Sequence, residues 1–227
     1  MNENQLQTRI TLIRHAPSLA HGRLSGRTDV RANCTSIAAK NNIILPWGTT
    51  DHIVTSPARR CLETIEALWP NVASRPGVTQ EPRLWEQDFG DWEGLSLEQL
   101  PDLGQLSGQE LADHLAPNGE SFSQVCDRTQ AAIADLLETR RGQTLCLCAH
   151  AGPIRAALAL ALGLLPANAL RFQVSCLSMT VLSHSAPGLW SVDRVNATID
   201  TGASGPITAS PTGGPVVANL SPGQIPR

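Results

Sequence analysis

No stretch of this 227-residue chain stays apolar for the 18 or so residues that a membrane-spanning helix needs. It has no run of Lys or Arg and carries a net charge of −3, which argues against nucleic acid as a partner. Met1 to Arg9 is polar, so no secretory signal peptide is expected there. The six cysteines, Cys34, Cys61, Cys126, Cys146, Cys148 and Cys176, include no Cys-x-x-Cys pair. No group of His, Cys, Asp or Glu has metal-ligand spacing, so neither metal nor cofactor is expected. No internal repeat is visible. From Thr201 to Arg227 there is no aromatic residue and hardly any charge, only Gly, Pro, Ser and Thr in excess, and this segment reads as a disordered tail. These absences point to a cytoplasmic protein with buried, free thiols, no membrane contact, and a monomeric or homodimeric state.

What is present is more specific. Thr11-Leu12-Ile13 is a β-branched and apolar run that stops abruptly at Arg14-His15, and Pro17 then forbids a continued ladder. Thr144-Leu145-Cys146-Leu147-Cys148-Ala149 repeats the pattern and ends in His150-Ala151-Gly152-Pro153. A third run, His52-Ile53-Val54-Thr55, leads into Ser56-Pro57-Ala58-Arg59-Arg60. Ligands of open α/β sheets bind beyond the carboxyl ends of the strands. Two histidines and two arginines gathered at one such edge make a dense positive site, which is unfavourable without an anion. A phosphate group fits: guanidinium groups bind its oxygens in a fork, and a neutral imidazole nitrogen attacks phosphorus.

The blocks Leu12-Ile13-Arg14-His15, Thr55-Ser56-Pro57-x-x-Arg60-x-x-Glu63-Thr64, Leu84-x-Glu86-x-x-Phe89-Gly90-x-Trp92-Glu93-Gly94, Asn118-Gly119-Glu120-Ser121 and His150-Ala151-Gly152-x-Ile154-Arg155 occur in one order across residues 8–195. In this order the chain resembles the histidine phosphatase superfamily, in its phosphoglycerate-mutase-like branch. It departs from the usual family pattern at Ala16, where Gly is customary. The Gly22-Arg23 to Asp29 loop is similar to that of α-ribazole phosphatases, which makes α-ribazole 5′-phosphate of cobalamin biosynthesis one candidate substrate.

The resemblance implies hydrolysis of a small phosphomonoester through a phosphohistidine. His15 is then the nucleophile, its second ring nitrogen held by an acceptor such as a backbone carbonyl. Arg14, Arg60 and His150 hold the phosphoryl oxygens, and Glu86 is the general acid for the leaving group. Ser18, Gly26 and Arg27 are candidate substrate contacts. The family spacing selects Arg60 over Arg59, which reads as a solvated helix residue. Glu93 reads as structural, and Arg155 as half of a structural ion pair. Two alternative readings stand beside it, a phosphoglycerate mutase and a non-catalytic phosphoester-binding protein. Against the mutase, residues 98–118 contain no Lys or Arg to receive a second anionic group.

The implied fold is a three-layer α/β/α sandwich with a mainly parallel sheet and a small cap at about residues 86–120. The domain is expected to occupy residues 1–200, with the tail at 201–227. Strands are expected at 8–13, 51–55, 78–85, 143–149, 172–183 and 189–195. Helices are expected at 32–41, from Pro57 onward, at 120–141 and at 153–162.

Overall fold

A computed structural model describes residues 7–38, 49–186 and 188–199 of the chain. The expected tail, the domain limit at residue 200 and the second part of the 32–41 helix lie outside the described residues.

Six strands form one sheet in the order β3-β2-β4-β1-β5-β6. They are β1 (Thr8–Arg14), β2 (His52–Thr55), β3 (Gly77–Gln80), β4 (Thr144–Ala149), β5 (Ser178–Ala186) and β6 (Leu189–Thr198). The first four run parallel, while β5 pairs antiparallel with β1 and β6 antiparallel with β5. Near-continuous apolar runs such as Ile10–Ile13 and Leu145–Ala149 suit strands covered on both faces.

Alternation along the strands builds two cores. On one face Ile13, Ile53, Cys146 and Cys148 pack with Cys61, Ile65 and Leu68 of α2 (Arg59–Leu68). On the other, Ile10, Leu12, Val54, Leu145 and Leu147 pack with Ile133 of α4 (Phe122–Thr139) and with Ile154 and Leu158 of α5 (Ala151–Leu162). Helices thus cover both faces of the sheet. The remaining helices are short: α1 (Thr35–Ala38), α3 (Gly108–Asp113) and α6 (Pro166–Ala169). Within residues 86–120 the chain makes 3₁₀ turns at Gly90–Trp92 and Leu97–Gln99 before α3, which is closed by a Ser107–Glu110 capping box.

Register is the feature that matters for function. Arg14 lies opposite Ala149, and Thr55 opposite Cys148. The His15 amide donates to the Ala149 carbonyl at 3.0 Å and the Ser56 amide to the Cys148 carbonyl at 2.9 Å. His15, Ser56 and His150 therefore leave the sheet side by side.

Four expectations are corrected. Pro57 is not the first helical residue: α2 begins at Arg59 with Ala58 as its N-cap, so Arg60 still falls in the first turn. The edge strand stops at Gln80, because Pro82 opens a 3₁₀ turn, Pro82–Leu84, in place of a ladder position. β5 begins at Ser178, and the chain before it supplies loop carbonyls to the site. Cys34 and Cys176 are half-buried; the other four thiols are buried and all six are free.

Leu12 is fully buried at the sheet centre. Truncation by Leu12→Ala should cost roughly 2–5 kcal/mol and lower the melting temperature by about 10 °C. Val78→Ala on the exposed edge strand should change it by less than about 2 °C. Thermal denaturation of the two variants checks the contrast.

Candidate active site

The strand ends place two imidazoles edge to face, with 5.0 Å between the His15 and His150 ring centroids. Both residues are buried, and their tautomers follow from their partners. His15 Nδ1 lies 2.6 Å from the Ala16 carbonyl oxygen, which only accepts, so Nδ1 holds the proton and Nε2 keeps its lone pair. His150 Nδ1 accepts from Arg60 Nε at 3.2 Å, which leaves the proton on Nε2, 2.9 Å from Ser56 Oγ. Burial, then the charges of Arg60 and Arg14, hold the His15 pKa well below the usual imidazole range; the Ala16 carbonyl pulls the other way. His150 is depressed by burial, by Arg60, by His15 and by Arg14. Two neutral histidines among cations are the result.

Ala16 is accommodated without strain. Its backbone does not take the left-handed conformation that would demand glycine. Its carbonyl orients His15, and its amide donates to Thr64 Oγ1 at 2.9 Å. That hydroxyl in turn donates to the Arg60 carbonyl at 2.6 Å, tying the loop after β1 to the first turns of α2.

Arg60 is almost wholly buried and clamps a loop. Its Nη1 donates to the Thr28 carbonyl at 3.1 Å, and its Nη2 to those of Ser25 and Gly26 at 3.3 and 2.8 Å. Glu93 grips the same loop from the amide side, accepting from the backbone of Gly26, Arg27 and Thr28 at 2.8, 2.8 and 3.1 Å. Glu93 is thus structural, as expected. Gly26 serves close packing: a Cβ there would stand 1.7 Å from the Gln87 carbonyl oxygen. Ser18 is half-buried and forms a backbone bridge with Ala32. Arg14 donates through Nη1 to the Val174 carbonyl at 2.5 Å. Arg59 is half-exposed and pairs with Glu63 one turn on, at 2.9 Å.

The clamped loop presents Arg27 to a set of carboxylates. Arg27 lies 3.3 Å from Glu120 Oε1 and 3.9 Å from Asp88 Oδ2. Glu120 also receives Arg128 at 2.6 and 3.0 Å. Arg128, on α4, donates to the carbonyls of Arg83 and Glu86 at 2.6 and 3.0 Å, fixing the backbone on which Glu86 sits. Glu86 Oε1 accepts from the Gly152 amide at 3.0 Å, placing its carboxylate at the N-terminus of α5, two residues beyond His150. A Cβ on Gly152 would stand 2.3 Å from that oxygen, which explains the glycine.

Arg155 departs from expectation. Its Nε donates to the Phe172 carbonyl at 2.9 Å in place of a structural ion pair, and burial pulls its pKa down to about 10 against the opposing charge of Glu86. The structure therefore brings together His15, His150, Arg60 and Arg14, with Glu86 at the next helix terminus and Arg27 on the adjoining loop. Sequence reasoning missed Ser56, Thr64, Trp85 and Arg128 as parts of the site. Ser56 and Thr64 stood inside a matched block and were available; Trp85 and Arg128 fell at unmatched positions.

Comparison with known proteins gives the family and the fold. Residues 10–198 match the family model of the histidine phosphatase superfamily, branch 1. The bifunctional protein Rv2228c of Mycobacterium tuberculosis is 29% identical over 200 residues, which cover 84% of this chain and 54% of that protein. The chain thus spans about half the length of that relative. A mycobacterial glucosyl-3-phosphoglycerate phosphatase, solved with inorganic phosphate, superposes with a TM-score of 0.71 at 26% identity, covering 84% of this chain and 98% of that one. The α-ribazole phosphatase of Shigella flexneri shares the fold, with a TM-score of 0.69 at 21% identity over 84% of this chain and 98% of that one. The chain belongs to the histidine phosphatase superfamily, branch 1.

The two neutral imidazoles set a pH dependence of stability. In the unfolded chain they would protonate near pH 6.5, and in the folded protein only well below it. The unfolded state therefore binds more protons below about pH 6.5, and folding stability falls as pH drops through that value. Two such groups give a slope of up to about 2.7 kcal/mol per pH unit. Melting temperatures between pH 7.5 and 5.5 should decline, and His150→Asn should make the decline shallower. An unchanged slope in that variant would refute the assignment.

Proposed function

We propose that this chain hydrolyses a small phosphomonoester through a phosphohistidine formed on His15. The observation that carries the reading is the tether from Nδ1 to the Ala16 carbonyl. It leaves Nε2 as the nucleophilic atom, in a ring kept neutral at the end of β1. The Nε2 lone pair attacks phosphorus while the ester P–O bond breaks. Arg14, Arg60 and His150 neutralise the oxygens of the transferring group. For His150 to contribute its Nε2–H, a phosphoryl oxygen takes the place of the Ser56 hydroxyl. Glu86 gives its proton to the departing alkoxide, and its carboxylate then takes one from the water that cleaves the N–P bond. Inorganic phosphate leaves and His15 is restored.

For the organic half we propose a group without further negative charge, and α-ribazole 5′-phosphate is one candidate. What supports this is the charge around Arg27, whose guanidinium and that of Arg128 are already matched by Asp88 and Glu120. A carboxylate-bearing substrate such as a phosphoglycerate would meet like charge there. The Gly22–Asp29 loop carries the likeness to α-ribazole phosphatases. Comparative kcat/KM for α-ribazole 5′-phosphate, sugar phosphates and phosphoglycerates tests the choice; preference for a phosphoglycerate would reverse it.

Rapid quenching after incubation with radiolabelled substrate should trap a phosphoenzyme that is acid-labile and base-stable, as a phosphoramidate is. His15→Ala should lose both label and turnover, and retained turnover would eliminate the mechanism. Glu86→Gln should slow alkyl phosphates by about 10²–10⁴-fold. It should barely affect p-nitrophenyl phosphate, whose leaving group hardly needs a proton. Equal losses on both substrates would make Glu86 structural.

A further inference from the structure

Trp85 stands among the charged groups of the site at a position that the matched blocks leave open. Its indole lies parallel to the His150 ring, with 5° between the planes and 6.3 Å between centroids. The guanidinium carbons of Arg27 and Arg60 sit 5.6 and 5.9 Å from its ring centroid. Both lie within the roughly 6 Å over which the ring quadrupole attracts a cation. The ring also packs against the core cluster that holds Ile13, Ala58 and Cys61, so it is anchored to the framework that carries His15 and α2.

A site for a phosphoryl group has a difficulty that this placement answers. Its guanidinium groups repel one another and need a restraint. A carboxylate supplies one, but it occupies the in-plane N–H groups and repels the incoming dianion. An aromatic face carries partial negative charge and no formal charge. It holds a guanidinium from above or below and adds no formal negative charge to the site. Arg27, which Glu120 holds at 3.3 Å through Nη2, keeps a buried Nε that makes no hydrogen bond, with Asp88 Oδ2 3.9 Å away.

We propose that Trp85 is a positioning residue of this site, its indole fixing the Arg60 guanidinium and the His150 ring that grip a phosphoryl group and holding the Arg27 guanidinium beside them. The inference deepens the phosphatase reading and rests on it. Trp85→Leu should raise KM for p-nitrophenyl phosphate and the inhibition constant of inorganic phosphate together, each by about tenfold, with a smaller loss in kcat. Trp85→Phe, which keeps an aromatic face, should recover most of both. A role confined to core packing would lower the melting temperature and leave both constants at parental values.

Inorganic phosphate should also change the intrinsic fluorescence of the parent protein, and Trp85→Phe should abolish that change. This measurement needs neither turnover nor a folded Leu variant. Parental KM and phosphate inhibition in Trp85→Leu, equal impairment in Leu and Phe variants, or phosphate binding without a Trp85-dependent signal would each overturn the proposal. A parent that binds phosphate with the Trp85 signal but forms no phosphoenzyme would support the positioning role and sink the hydrolytic reading instead.

Discussion

The parallel pairing of β4 with β1 on one side and β2 on the other is the constraint on which the site rests. His15 and His150 are separated by well over a hundred residues, and neither neighbours the other through local structure. They meet because Arg14 is opposite Ala149 in the ladder, and because both strands run the same way and stop at the same level. A slip of one residue would turn His15 to the opposite face of the sheet and break the edge-to-face contact. The same register sets Ser56 beside His150 and begins α2 where Arg60 reaches His150.

Concentrating cations at this edge has a cost, and the protein offsets it without placing a carboxylate on the central arginine. Arg60 is neutralised mainly by carbonyl dipoles of the 25–28 loop and by a lone pair of His150. The imidazoles respond by staying uncharged. Formal negative charge is kept one layer out: Glu93 holds the loop amides, Glu120 pairs Arg27 with Arg128, and Glu86 lies on the first turn of α5. The order from centre to periphery is therefore neutral base, cations, backbone dipoles and carboxylates. A dianion entering the centre completes that balance.

Two glycines let the layers close. Gly26 allows the clamped loop to lie on the backbone of Gln87, and Gly152 allows the Glu86 carboxylate onto the helix terminus. Gly152 joins one matched block to another, so the spacing between those blocks is a record of a tertiary contact. Ala16 shows the converse: with ordinary backbone angles, its methyl group is simply buried.

Residue chemistry and pattern determined a good deal by themselves. Buried parallel strands show as unbroken apolar runs, and their abrupt ends at Arg14-His15 and Ala149-His150 marked the edge where the two histidines meet. The alternation of Cys146 and Cys148 put both on one face, where the structure has them, against α2. Local sequence did not determine where Pro57 and Pro82 would act, because a proline both starts helices and stops strands and the neighbouring packing decides which. It did not separate 172–177 from the strand after it, since apolar loops and strands share composition. Nor did it show Trp85 stacked beside His150, or Arg128 holding the Glu86 backbone, because long-range side-chain contacts leave no periodicity to read. Those were settled only when the sheet register brought distant segments to one edge and the burial of charge there required each group to find a partner.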